Sequence, residues 1–431
     1  MKKGRGDAAH SKARMNIWIL EIGELLPLNP DVRRMRVGLL AQKLVERGHR
    51  VRWWASAFEH QRKIMLFEKD TIVQVSPGIT LQILRGWGYR RNISLARYID
   101  HRIIARKFRL LCRKMPLPDA VIALLPCHRL AYEAVTFCKE NNIPIIVDIE
   151  DKWPSIFVDR LSNTPLYQIG RFALSGEMRC ARTALRRADA LCAVSSSYMD
   201  WALENAGRPR TAWDRVFYLG YERMPSSSGY AYESGEEPSW LSEMEGQTIF
   251  AFIGTFGMTY DLRLVVQVAR RMWNNGRRNA SFILAGAGER LPAIKKYAED
   301  LPNVSFPGWI NAKDIQSLLR RASIGLLPYA VNAPQSLSYK PFEYLSAGLP
   351  LVSSLSGEMA EMIKSFGLGQ NYHAGDPEKL QQCIETFLDD EALREEMSHN
   401  ASIFYSKHGD ADKIYSDYSE HIERFVEAQH R

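Results

Sequence analysis

Lys340 and Glu343 stand on one short segment, Gln335-Ser-Leu-Ser-Tyr-Lys-Pro-Phe-Glu-Tyr-Leu-Ser-Ala-Gly-Leu-Pro350, between the apolar runs Ile324–Pro328 and Leu351–Ser353. Ser338 can cap a helix that carries Lys340, Glu343 and Tyr344. The start of such a helix has unpaired N–H groups and a positive dipole end, which suits a diphosphate. Lys340 adds a full charge there. Glu343, on nearly the same face, can accept hydrogen bonds from ribose hydroxyls. On spacing alone, a capped helix with a solvated Lys–Glu pair fits the same residues.

Other residue groups compete for a chemical role. Gly254-Thr255-Phe-Gly257 follows an apolar run and lets backbone approach a diphosphate or an acceptor closely. It lacks the Lys-Ser/Thr of a P-loop. Gly286-Ala-Gly288-Glu289 lacks the third glycine of a dinucleotide fingerprint, so it argues against NAD. Gly308-Trp309-Ile310 is a further turn, readable by itself as a core tryptophan at a strand end. Asp148-Ile-Glu-Asp151 places carboxylates at the end of an apolar run, where a hard cation is conceivable. A structural carboxylate network or a contact to an acceptor is the preferred reading, and no metal is expected. His128, in Pro126-Cys-His128, is a candidate for chemistry, with His101 as its alternative.

These residues need a frame. The apolar runs Asn16–Leu20, Val51–Ala55, Ile72–Val75, Leu81–Leu84, Ala120–Leu125, Ile143–Asp148, Asp189–Val194 and Val216–Leu219 read as strands. Helical spacing separates many of them, as in Arg33–Gly48 with Val37, Leu40 and Leu44 inward. After Met224–Gly246, which is rich in Ser, Gly, Glu and Pro, the pattern restarts. Strands are expected at Ile249–Ile253, Ser281–Ala285, Val304–Phe306, Ile324–Leu327 and Leu351–Ser353, with a helix over Asp261–Asn274. Alternation of this kind predicts an α/β protein with two doubly wound, mostly parallel sheets. Ligands in such sheets bind beyond the carboxyl ends of the strands. The expected divisions are a basic tail (1–14), a first domain (15–222), a linker or surface excursion (223–246), a second domain (247–405) and a C-terminal helix (406–431), packing back on the rest.

The 431 residues are 46% hydrophobic and 25% charged, which excludes disorder as the main state. The formal charge of +8 favours anionic partners. None of the six cysteines forms a Cys-x-x-Cys pair, so reduced, buried thiols in a cytoplasmic protein are expected. No stretch reaches the roughly 18 apolar residues of a spanning helix. The first 14 residues lack the apolar core of a secretory signal. The basic stretch Arg97–Lys114 reads as amphipathic, with Ile99, Ile103, Leu110 and Leu111 inward and Arg102, Arg106, Lys107, Arg109 and Arg113 outward. It suits an anionic membrane surface or a solvated helix. No reader motif for nucleic acid is present.

The Lys340 segment resembles the family 4 glycosyltransferases, retaining enzymes of the GT-B fold. Their nucleotide-sugar segment has a Glu, seven residues, then a second Glu opening Glu-x-x-x-x-Gly-x-Pro. Glu343 to Pro350 matches the second half, and Gln335 stands where the first Glu is found. The Lys-x-x-Glu-Tyr-Leu-x-x-Gly pattern resembles the subgroup that builds bacterial surface polysaccharides, including N-acetylhexosamine transferases. Arg36-x-x-x-Leu-Ala-x-x-Leu-x-x-x-Gly48-His49, Asp148 to Pro154, Arg187 to Ser195, Leu219 to Glu222, Asn303–Gly308 and Ala322–Pro328 extend the likeness in order along the chain. The family often has an Arg just after the first glycine turn and a Lys slightly later; here Met258 and Tyr260 occur.

This resemblance implies two Rossmann-like domains facing a cleft, and a metal-independent retaining transferase without a cofactor. It implies a donor site of Gly254, Thr255, Gly257, Gly286, Gly288, Glu289, Trp309, Ile310, Gln335, Ser336, Ser338, Lys340 and Glu343. The donor would be a nucleoside-diphosphate sugar, UDP-linked, carrying a hexose or N-acetylhexosamine. Lys340 and His128 are the expected catalytic residues, with Arg33, Arg34 or Arg36 as a further cation for the diphosphate. Arg36, Asp151 and Trp153 are expected at the acceptor, a lipid-linked sugar or a saccharide used in surface polysaccharide synthesis at the cytoplasmic membrane face. A sugar-nucleotide epimerase on the same fold and an inactive nucleotide-sugar-binding protein are the other readings.

Overall fold

The computed structural model describes residues 14–430 except 30–31, 92–93, 156–163, 165–166, 224–237, 243, 245, 332 and 334–336. The chain forms two compact units, Met1–Phe217 with Tyr415–Arg431, and Tyr218–Ile414. Residues 1–13 of the expected tail and most of the expected linker lie outside the described residues.

In the first unit the strands are β1 (Asn16–Leu20), β2 (Arg50–Ser56), β3 (Phe58–Glu59), β4 (Ile64–Met65), β5 (Thr71–Ser76), β6 (Ile79–Leu84), β7 (Ala120–Leu125), β8 (Ile145–Ile149), β9 (Ala190–Ala193) and β10 (Arg215–Val216). Eight of them make one sheet in the order β10-β9-β8-β7-β1-β2-β6-β5, while β3 and β4 pair separately. All its pairings are parallel except β5 with β6. Strands buried on both faces must be apolar throughout, and every residue of β7, β8 and β9 is buried. Trp18 stacks on Phe137 at 5.8 Å, and Trp54 meets Phe108 edge-on at 4.8 Å.

The second unit holds β11 (Thr248–Ile253), β12 (Ala280–Ala285), β13 (Val304–Gly308), β14 (Ile324–Leu327), β15 (Leu351–Ser353) and β16 (Gly369–Asn371). They form a parallel sheet in the order β13-β12-β11-β14-β15-β16. The strand order reverses between β11 and β14 here, and between β1 and β7 in the first unit. Each reversal leaves a crevice beyond the carboxyl ends of its strands.

The helix Leu95–Cys112 is turned differently from the expectation. It buries Ile104, Ala105, Phe108 and Cys112 and leaves Ile99 and Leu110 exposed. The cause is Phe108, whose ring fills the space beside Trp18 and Trp54 and so fixes the inward face. The C-terminal helix Ala411–Gln429 joins the first unit from Tyr415 onward. Glu423 there receives hydrogen bonds from Arg47 at 2.7 and 2.6 Å and lies 2.8 Å from His49 Nε2.

Candidate nucleotide-sugar site

In the second unit, three glycine-bearing turns follow β11, β12 and β13. They are stitched together by main-chain bonds: Gly254 N–H to Ala285 O (2.9 Å), Phe256 N–H to Ala287 O (2.9 Å) and Gly286 N–H to Gly308 O (2.7 Å). Gly286 and Gly288 have φ of +138° and +156°, and a Cβ on either would overlap the backbone of Gly254 or Phe256. Only glycine allows the turns to lie this close.

The helix Tyr339–Ser346 brings Lys340 to the same place. The Lys340 ammonium donates to Ile253 O, and it sits 5.4 Å from the Phe252 ring centre and 5.5 Å from that of Tyr260. A Cβ on Gly254 would collide with Lys340 Nζ, so the glycine makes room for the cation. The position where the resembling family often has a lysine is thus taken by the Tyr260 ring, which supports Lys340 through a cation–π contact. Ile253 ends β11 and Gly254 opens the turn after it, at the switch between β11 and β14.

Ser338 stands at the N-cap of this helix, as expected, but its side chain makes no capping hydrogen bond. Its hydroxyl lies 2.6 Å from the Tyr329 hydroxyl instead. The first turn carries no acidic residue. Other helices of this unit are capped by Asp261, Asn311, Asp376 and Asp390. Glu343 is buried; Tyr221 donates to its Oε1 at 3.0 Å, and its other oxygen has no hydrogen bond among the described residues. Trp309 is exposed, Ile310 is buried, and Glu289 and Thr255 face solvent. Gly257 lies in the same turn as Gly254. Gln335 and Ser336 lie outside the described residues.

The crevice of the first unit is occupied differently. Glu24, in the loop after β1, accepts hydrogen bonds from Val37 N–H (2.8 Å) and Gly38 N–H (2.9 Å) at the start of the helix Arg36–Glu46. Burial and the neighbouring Glu21 push Glu24 up to about 8, so further negative charge is costly there. The Glu24 carboxyl group thus takes up two of the N–H groups that a phosphate would need at this helix end.

Several first-unit candidates are committed elsewhere. Arg36 is wholly buried; its Nε and Nη2 donate to Asp148 at 2.8 and 3.0 Å, and its Nη1 to Phe217 O at 2.9 Å. An acceptor contact does not fit this placement, because every arm of the guanidinium is engaged inside the core. Asp148 also accepts from Tyr418 at 3.1 Å. Asp151 and Trp153 are half-buried; Asp151 Oδ1 accepts from Lys152 N–H at 2.8 Å, and the Arg97 guanidinium lies 4.0 Å over the Trp153 ring.

His128 is buried, with Nε2 2.7 Å from Glu177 and Nδ1 3.3 Å from Pro126 O. His101 is buried and stacks on Trp153; burial, then Arg97, pushes its pKa down to about 3. Glu177 went unnoticed in the sequence, since its partners are 48 and more residues away. Burial drives its pKa up, but hydrogen bonds from His128, Arg129 and Tyr98 outweigh this and hold it at about 2. Stability from this cluster is therefore present above the usual carboxylate range and is lost as pH falls from about 4.5 toward about 2. Glu177→Gln is expected to cost about 3 kcal/mol at neutral pH and to flatten stability over that acid window, as read by urea denaturation at a series of pH values.

Residues 236–403 match the family described as "Glycosyl transferases group 1". Among curated proteins, an uncharacterized glycosyltransferase of Methanocaldococcus jannaschii is 25% identical over 175 residues, 35% of this chain and 42% of that protein. The alpha-D-kanosaminyltransferase of Streptomyces kanamyceticus is 22% identical over 224 residues, 51% of this chain and 56% of that protein. The chain thus spans about half the length of the curated relatives it matches. Among solved structures, Anabaena HepE in complex with UDP superposes with a TM-score of 0.65 at 15% identity, covering 95% of this chain and all of that one. WaaG, a glycosyltransferase involved in lipopolysaccharide biosynthesis, gives 0.61 at 15% identity, covering 94% and 99%. The chain has the GT-B fold. The matched family segment contains every glycine turn described above, Lys340 and Glu343. Among the described residues, no helix is long and apolar enough to cross a membrane.

Proposed function

We propose that this GT-B chain is a retaining, metal-independent glycosyltransferase. It would take a sugar from a nucleoside-diphosphate donor, UDP-linked, and pass it to a lipid-linked sugar or a saccharide. The observation that carries the reading is Lys340 at the start of a helix with no side-chain cap, in contact with the Gly254 turn at a strand-order switch. Helix N–H groups and an ammonium there would meet the charge that grows on a departing diphosphate. Glu343, with one oxygen steadied by Tyr221, would receive ribose hydroxyls on the other. Exposed Trp309 offers a flat face to a base. HepE binds UDP and, in a further structure, UDP-glucose, which favours UDP among nucleotides.

As the donor bond breaks, the sugar gains oxocarbenium character and the acceptor hydroxyl attacks from the face the diphosphate leaves. The hydroxyl proton passes to the departing phosphate. Lys340 holds the leaving oxygens, so no metal is required for that step. His128, closed in by Glu177 and Pro126 O, serves the first unit's packing more than proton transfer in this scheme.

A thermal-shift titration with UDP, GDP and ADP tests the site. UDP at 100 times its dissociation constant should raise the melting temperature of the protein by about 5 °C. Glu343→Ala should remove most of that rise, because a ribose partner and the Tyr221 tether disappear together. A UDP-induced rise that survives both Glu343→Ala and Lys340→Ala sinks the assignment.

A further inference from the structure

The helix Ser175–Arg187 of the first unit buries Glu177, Ala181, Ala184 and Leu185. Its opposite face carries Arg179, Arg182 and Arg186, spaced i, i+3 and i+7 and all exposed. With Arg171 from the preceding helix Tyr167–Ala173, these side chains line a groove of about 310 Å³. None of the four forms an ion pair among the described residues. Arg182 and Arg186 are steadied only by neutral acceptors, Asn205 Oδ1 at 3.3 Å and Ala206 O at 3.4 Å. Like charges gathered without carboxylates repel one another, so the arrangement is stabilised by an anion.

The neighbouring surface is apolar. On the helix Tyr167–Ala173, Phe172 is 84% exposed and Ile169 65%. Tyr98 donates to Glu177 and ties the start of the helix Leu95–Cys112 to the start of Ser175–Arg187. Leu95 and Ile99, which flank Tyr98, are also exposed, with Arg102 on the same helix. Guanidinium groups beside protruding apolar side chains match a surface of phosphates over hydrocarbon; a soluble anion would leave Phe172 and Ile169 in water.

We infer that this face of the first unit docks on an anionic phospholipid bilayer. The arginines of the 171–186 groove bind lipid phosphates, and Ile169 and Phe172 enter the headgroup region. The inference deepens the lipid-linked acceptor proposed above and rests on that reading for its purpose, but vesicle binding reads it separately from nucleotide binding.

The test is co-sedimentation of the full chain with sucrose-loaded vesicles of phosphatidylglycerol and phosphatidylethanolamine, with pure phosphatidylcholine as reference. The protein should partition onto the anionic vesicles only, and less so as salt shortens the Debye length. The triple change Arg179→Gln, Arg182→Gln, Arg186→Gln should lower partitioning by about two orders of magnitude. The corresponding change to lysine should keep most of it. Ile169→Ser with Phe172→Ser should cost about tenfold. Removing three cations from the second unit, Lys295→Gln, Lys296→Gln and Lys379→Gln, should change it less than about twofold, and the UDP-induced thermal shift should be the same in every variant. Equal binding by the arginine-to-glutamine triple overturns the inference, as does equal loss in the second-unit control. So does binding of inositol hexakisphosphate without vesicle binding, which would make the groove a site for a soluble polyanion.

Discussion

Replacing Lys340 by alanine is expected to lower kcat for sugar transfer by about 10³-fold, with a far smaller change in donor KM. The charge on the diphosphate grows as the glycosidic bond breaks, so a cation beside it stabilises the transition state more than the ground state. The effect is large because the ammonium is preorganised. Ile253 O, the Phe252 face and the Tyr260 face hold it against the end of β11, so little reorientation accompanies the reaction. A purely structural role makes a different forecast. Lys340 would then be a tie between a helix and a strand end, and alanine would lower the melting temperature while the residual folded enzyme kept its turnover. Single-turnover transfer rates and thermal melts on the same preparation separate the two. Gly254→Ala gives a second handle. The new methyl group would fall on Lys340 Nζ and should reproduce the loss of kcat with the lysine still present.

Most strands were legible because parallel strands buried on both faces leave no choice of residue. β1, β7, β14 and β15 have the bounds their apolar runs suggested. β16 was invisible, since Gly369-Gln370-Asn371 offers no apolar signal and pairs only through its main chain. The pair β3 and β4 is too short to show a period. The face of Leu95–Cys112 was misjudged because apolar residues occur all around it, and only contact with Trp18 and Trp54 selects Phe108.

The site divides the same way. Gly254, Gly286 and Lys340 stand out locally, through turn chemistry and helix position. Their meeting could not be read locally, because Lys340 reaches a carbonyl 87 residues away. Resemblance supplied that link for the second unit. In the first unit it offered Arg36 to the acceptor, and the partner that removes Arg36 from that role, Asp148, lies 112 residues along the chain. An arginine in an amphipathic helix looks solvated until its partner is known.

That pair carries the second large effect. Asp148→Ala should destabilise the protein by about 3–5 kcal/mol, since it removes the carboxylate that is hydrogen-bonded to a wholly buried guanidinium and leaves only Glu150 at 3.6 Å. Burial lowers the Arg36 pKa, but Asp148 more than offsets this and raises it well above its usual value. A guanidinium keeps its proton even without that partner, so the variant must unfold locally or admit water. Two features enlarge the loss: Tyr418 forfeits its acceptor, and its stacking on Phe217 at 4.3 Å is part of what joins the C-terminal helix to this unit. Arg36→Met alone should cost less, because Asp148 can keep Tyr418 as a donor. The double change Arg36→Met with Asp148→Ala should be milder than Asp148→Ala alone, as an apolar pair asks for no compensation. Urea denaturation followed by tryptophan fluorescence checks this, since Trp18, Trp53 and Trp54 are all buried in this unit. Additive losses across the cycle would deny the coupling. An Arg36→Met variant of unchanged stability, with acceptor KM raised, would return Arg36 to the substrate.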